Sequence, residues 1–242
     1  MSNRRKIQTK IQMKEIVKFI KEGLKITSKT KVDKYNYHPE TKSELQDLIN
    51  QLIKERGNEG DFNDIDTSEI TNMSELFKDI KNFNGDISKW NVSNVTNMRH
   101  MFYGCKLFNQ PLAKWDVSKV IDMSFMFCGC KSFNQDIYNW DVSNVTDMFA
   151  IFYECELFNQ DISKWDVSTV TDMSSTFFGC KSFNQPLNNW NVSNVYTMGY
   201  MFYGCKSFNQ DISNWNVSNV SYNHEIFKKC PIEEKYKPKF KK

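Results

Sequence analysis

A single unit recurs along most of this 242-residue chain with a fixed period of 25 residues. All six tryptophans fall on it (Trp90, Trp115, Trp140, Trp165, Trp190 and Trp215), as do the phenylalanines from Phe83 to Phe208 and the cysteines from Cys105 to Cys230. A period in this range marks an array whose units are each too small to bury an apolar face alone, so that they must stack on their neighbours. With no insertion between units, the array is expected to be continuous. Such a chain presents a surface, and nothing in the repeat itself supplies an active site.

Composition supports a packed interior. There are 19 Phe and only 9 Gly and 5 Pro, which excludes collagen-like and disordered classes. No apolar run approaches the roughly 18 residues needed to cross a bilayer, so no transmembrane segment is expected. The basic start Met-Ser-Asn-Arg-Arg-Lys has no apolar core behind it, so a cytoplasmic location is expected. The net charge of +3 is uneven: residues 1–34 carry +8, residues 228–242 carry +5, and the body between carries −10. Basic ends on an acidic body either contact a polyanion or simply solvate the termini.

Three regions are expected. Residues 1–60 form a basic amphipathic helix over 5–24 and a capping helix over 41–56, with Thr41 and Glu44 as a capping box and Gly57 beyond the last turn. Residues 61–232 form the repeats, with a weak first unit and a fading last one, and 233–242 form a basic tail. Within a unit, Trp90 and Val92 alternate as a strand does, whereas Met98, Phe102 and Cys105 have helical spacing with Gly104 as a C-cap. The fold class expected is therefore an α/β repeat: a right-handed solenoid of about seven 25-residue coils with a helical N-terminal cap.

The unit Phe133-Asn-Gln-Asp-Ile-Tyr-Asn-Trp-Asp-Val-Ser-Asn-Val-Thr-Asp-Met148 resembles the 25-residue bacterial surface-protein repeat grouped with BspA-like leucine-rich repeats, over about residues 61–230. The resemblance implies a leucine-rich-repeat-like fold, an adhesion or surface-interaction role, and a cell-surface location as the alternative to the cytoplasm. Members usually carry a secretion or lipoprotein signal, which this sequence does not show.

Chemistry-bearing columns read as structural. The cysteines end the apolar series Met-Phe-Cys and point inward as free thiols, with Cys128, outside that column, as the most reactive. The Asp86, Asp136, Asp161 and Asp211 column is shared with Pro111 and Pro186, which fits turn starts rather than cation ligands. The one dense acidic patch, Asp61 to Asp66, lacks the glycine of an EF-hand loop. Asn84, Asn109, Asn134, Asn159, Asn184 and Asn209 are expected to bond backbone amides of neighbouring units. No catalytic, cofactor-binding or metal-binding residues are assigned, and the chain is read as no enzyme.

Information resides where the pattern breaks. Ile121, Phe125, Phe149, Tyr196 and Tyr200 are large residues in columns that packing leaves free, and exposed aromatics on a rigid support are typical contact anchors; packing between units is the competing reading. The expected function is a non-catalytic protein-interaction or adhesion module. The alternative is a cytoplasmic scaffold that binds a polyanion, nucleic acid or anionic membrane, through its basic ends. A protein is the partner expected; nucleic acid is disfavoured and no small-molecule substrate is expected.

Overall fold

The computed structural model describes residues 34–241. The amphipathic helix expected over 5–24 lies outside the described residues. Tyr35–Lys242 forms a compact unit of its own. Its one α-helix, α1 (Lys42–Arg56), starts where the capping pattern places it. The Thr41 hydroxyl accepts from the Glu44 amide at 3.2 Å, and the Glu44 carboxylate accepts from the Glu40 amide at 2.8 Å. Gly57, at φ 78°, ends the helix and donates to the Ile53 carbonyl. Leu45, Ile49 and Leu52 are fully buried and join the core of the repeats, and Gln46 Nε2 donates to the Leu76 carbonyl at 2.9 Å. The helix thus covers the first repeat layer.

The repeats do not form the α/β leucine-rich-repeat solenoid expected from the sequence. Among the described residues there is no β-strand and no sheet, and no helix within the repeats; besides α1 there is only a 3-10 turn at Glu234–Tyr236. Neighbouring units meet at isolated parallel bridges one residue wide, Asn72↔Asn97, Asn97↔Asp122, Asp122↔Asp147, Asp147↔Asp172, Asp172↔Thr197 and Thr197↔Tyr222.

The backbone hydrogen bonds explain the difference. Met98, His100, Phe102 and Gly104 donate forward to Asp122, Ser124, Met126 and Cys128 of the next unit. The amides in between donate back three residues within their own unit: Met101 to Met98, Tyr103 to His100, Cys105 to Phe102. Because every second N–H is spent on the neighbour, the i→i−4 ladder of a helix cannot run. Overlapping turns result, held by left-handed residues such as His100 (φ 55°) and Gly104 (φ 73°). The expected strand is broken for a similar reason. Trp90 and Val92 are both buried, but their neighbours close turns, Trp90 N to Ile87 O and Val95 N to Val92 O, so no extended run survives.

Side chains stack with the same 25-residue register. Phe102 lies 5.5 Å from Phe127 and Phe108 lies 6.1 Å from Phe133, with rings nearly parallel, and the two columns interleave at 4.0 Å between Phe102 and Phe108. Each buried indole N–H donates to a carbonyl of the preceding unit, as Trp140 does to Leu112 at 3.0 Å. Cys130 Sγ reaches the Phe102 carbonyl at 3.0 Å, and its column follows suit, so these thiols serve the interior. Cys128 is not the open thiol the sequence suggests: it is buried, and burial pushes it up to about 12. Cys230, in the last layer, is the only partly exposed cysteine among the described residues.

The asparagine column behaves as expected. Asn134 Oδ1 accepts from the Asn159 amide at 2.9 Å and from Gln160 Nε2 at 2.9 Å, while the Asn134 amide donates to Asn109 Oδ1. Gly85 stands where later units carry Gln110 to Gln210, because a Cβ there would meet the Phe62 ring at 2.4 Å.

Candidate interaction surface

The bridge line organises the candidate surface. Along it, Asp122, Asp147 and Asp172 each accept the amide of the residue two positions on, at 2.8, 2.8 and 2.7 Å. These Asx turns fix the backbone at Ser124, Phe149 and Ser174 whatever side chain stands there. On the other side of the bridge, Ile121 N donates to Thr96 O and Tyr196 N to Thr171 O, both at 2.9 Å. The variable columns therefore ride on a backbone tied to both neighbouring layers.

The five sequence-selected residues fall into two groups. Ile121, Phe125 and Phe149 occupy adjacent layers in the middle of the stack, whereas Tyr196 and Tyr200 share a layer nearer its end. Ile121 is 50% and Tyr196 57% exposed, in a column otherwise filled by the small residues Thr71, Thr96, Thr146, Thr171 and Ser221. The other three are half-buried. Phe125 is stacked on His100 at 4.5 Å, meets Phe149 edge-on at 4.8 Å, and carries the Arg99 guanidinium 5.5 Å from its ring centre. Tyr200 packs against His224 at 5.3 Å and Tyr203 at 6.2 Å. So Phe125, Phe149 and Tyr200 support the surface as much as they display it.

Sequence reasoning passed over Leu107 and Leu157, exposed at 49% and 55%, and Tyr222 at 47%. The first two replace Ser132, Ser182 and Ser207 in one column, which is the same kind of break that marked Ile121. It also passed over a partly exposed rail in which Tyr153, Phe178 and Tyr203 stack at 4.5 and 4.7 Å, with Lys229 capping Tyr203 at 5.2 Å.

Among the described residues, no group of three or more His, Cys, Asp or Glu is placed to hold a metal. The acidic patch is dispersed onto separate partners. Asp64 is clamped by Arg56 at 2.7 and 3.0 Å, which holds its carboxyl below the usual range. Asp61 accepts the Asn63 amide, and Asp66 accepts the Ser68 amide and lies 3.6 Å from His38. His100 is held below the usual imidazole range, chiefly by burial and then by Arg99.

One charge in the surface works against stability. Asp147 is pushed above the usual carboxylate range, first by burial and then by Asp122 and Asp172 on either side. A raised folded-state value means the ionised form is penalised in the fold, so the penalty is present at neutral pH and vanishes below the ordinary value of 3.8. Asn97 fills the equivalent position and still accepts the Arg99 amide at 2.9 Å. Asp147→Asn is therefore expected to raise the melting temperature at pH 7 and to leave it unchanged near pH 3, as followed by thermal denaturation at the two pH values. An equal gain at both would exclude the charge as its source.

Residues 46–160 and 135–237 match the family described as Mycoplasma protein of unknown function, DUF285. The two overlapping segments span most of the repeats, and the chain belongs to this family. No curated protein matches the chain. No solved structure matches it. Among the described residues, no helix is long and apolar enough to cross a membrane.

Proposed function

We propose that this chain is a non-catalytic protein-recognition module that presents the variable columns beside its bridge line to a protein partner. The observation that carries this reading is the exposure of Ile121 and Tyr196, half or more open to solvent, on a backbone hydrogen-bonded to both neighbouring layers. Large apolar groups held rigidly in the open lose little conformational freedom when a partner covers them, which is what makes them effective anchors. Resemblance of the repeat to the BspA-like surface-protein repeat supports adhesion as the setting and the cell surface as the place, and these rest on that resemblance alone.

Binding of a polyanion through the basic ends is the weaker reading. In the C-terminal segment Lys235 pairs with Glu233 at 2.8 Å and Lys237 with Glu234 at 2.7 Å, so part of its charge is answered internally. The test uses binding partners recovered on the immobilised full chain at raised ionic strength. Ile121→Ala and Tyr196→Ala, both at exposed sites, are expected to weaken retention by roughly 1–2 kcal/mol each, with shallow salt dependence. Retention that falls steeply with salt and is untouched by both substitutions would reject this surface in favour of the basic ends.

A further inference from the structure

The two ends of the stack are finished differently. At the first layer α1 lies over the core, and Gln46 occupies the Leu76 carbonyl. At the last layer the tail hydrogen-bonds one half of the layer and meets the other through side chains, with Lys237 over the Phe227 ring at 5.7 Å. The Ile212 amide donates to the Tyr236 carbonyl at 3.0 Å, Asn209 Oδ1 accepts from Glu233 at 2.9 Å, and Ile232 is buried. The other half is left as a row of donors. In the layer before, Met198, Tyr200, Phe202 and Gly204 donate to the carbonyls of Tyr222, His224, Ile226 and Lys228. Their equivalents one period on are Asn223, Glu225, Phe227 and Lys229, whose amides have no acceptor among the described residues.

Alternate N–H groups in a row form the edge that an added chain pairs with. Beside the row lies a groove lined by Ile226, Phe227 and Phe240, by Lys235, Lys237 and Lys239, and by one carboxylate, Glu234, which pairs with Lys237. Charge at this end is one-sided, +5 over residues 228–242. Lys229 and Lys239 have no carboxylate partner among the described residues, unlike Lys228, which pairs with Glu225. We propose that this end binds an extended acidic segment of a partner protein, which adds to the stack as a further layer. The donors take its carbonyls, the groove takes an apolar side chain, and Lys229 and Lys239 take its carboxylates. A second copy of the chain fits less well, because the layer it would have to offer is covered by its own α1.

The probe is a peptide of residues 144–156, in which Asp147, Phe149, Ile151 and Tyr153 already offer their carbonyls to the previous layer and which carries Asp147, Glu154 and Glu156. Its control is residues 194–206, the same repeat position without a carboxylate. In both the cysteine is replaced by serine. Fluorescence anisotropy with the full chain is expected to show the acidic peptide binding about tenfold more tightly. Hydrogen exchange is expected to slow about tenfold at the amides of Asn223, Glu225, Phe227 and Lys229 when it binds. The double variant Lys229→Glu, Lys239→Glu is expected to lose that binding while staying folded by circular dichroism: Glu154 already occupies the position equivalent to Lys229 at φ 54°, and the fold gives up only the Lys229 contact with the Tyr203 ring. Equal binding of the two peptides, or protection elsewhere, would overturn the proposal. So would sedimentation showing a dimer in which the same four amides are protected without peptide, which would make a second copy the occupant.

Discussion

Phe158→Ala, in the middle of the stack, is expected to lower the unfolding free energy by about 3–5 kcal/mol in denaturant titration. Phe158 is fully buried and its ring faces Phe133 at 6.0 Å, Phe152 at 4.1 Å and Phe183 at 5.8 Å. Removing it opens a cavity bounded by three aromatic rings from neighbouring layers, and the hydrogen-bonded backbone on each side prevents collapse into the gap. Phe227→Ala, in the last layer, is expected to cost clearly less, because Phe227 is half-buried and stacks on a neighbouring ring from one side, Phe202 at 5.8 Å. Equal losses at the two sites would mean that the layers do not support one another as the ring geometry requires.

The second large effect belongs to the asparagine column. Asn134→Ala removes the side-chain acceptor of the Asn159 amide at 2.9 Å, whereas Gln160 Nε2, which the same oxygen also serves at 2.9 Å, keeps the Asn134 main-chain carbonyl at 3.0 Å. An interior donor left unmatched costs about 1–3 kcal/mol. Asn134→Asp keeps an acceptor oxygen in place and is expected to lose clearly less at neutral pH. If alanine and aspartate prove equally damaging, side-chain shape rather than the hydrogen bond holds this corner.

What the sequence displays and what it hides divide along a physical line. The beat of Trp, Phe and Cys is visible because burial demands it, and every Trp from Trp90 to Trp215 is at most 5% exposed. The asparagine ladder is visible because a polar residue kept at one corner through six units has to satisfy something. The caps of α1 are visible in Thr41, Glu44 and Gly57. Hidden is the local conformation of the repeat. Burial of Trp90 and Val92, or of Met98, Phe102 and Cys105, has the spacing of a strand and of a helix, yet a chain of turns whose amides alternate between neighbours buries the same positions. Left-handed backbone gives no warning either. His100, Phe125, Ala150, Ser175 and Tyr200 all adopt positive φ of 52–59°, in a column with no glycine or asparagine to mark it. That hidden conformation also explains the surface. Phe125 stands at a left-handed position and lies against His100 and Phe149, so the residue chosen as an exposed anchor is partly a packing residue. Ile121 and Tyr196, one step outside the bridge, are the open ones.

The recognition surface stands on a backbone held rigid by bonds to both neighbours, and native-state hydrogen exchange of the full chain tests that most directly. The amides of Phe102, Phe127, Phe152 and Phe177, which donate to Met126, Ile151, Thr176 and Met201, are expected to exchange slowly and with rates that agree within about tenfold, because they open together. Those of Ile121, Thr146, Thr171 and Tyr196, beneath the variable column, are expected to share that protection. Rapid exchange beneath the variable column, with protection confined to the phenylalanines, would contradict the account, since Ile121 and Tyr196 would then stand on a mobile strip instead of a fixed one.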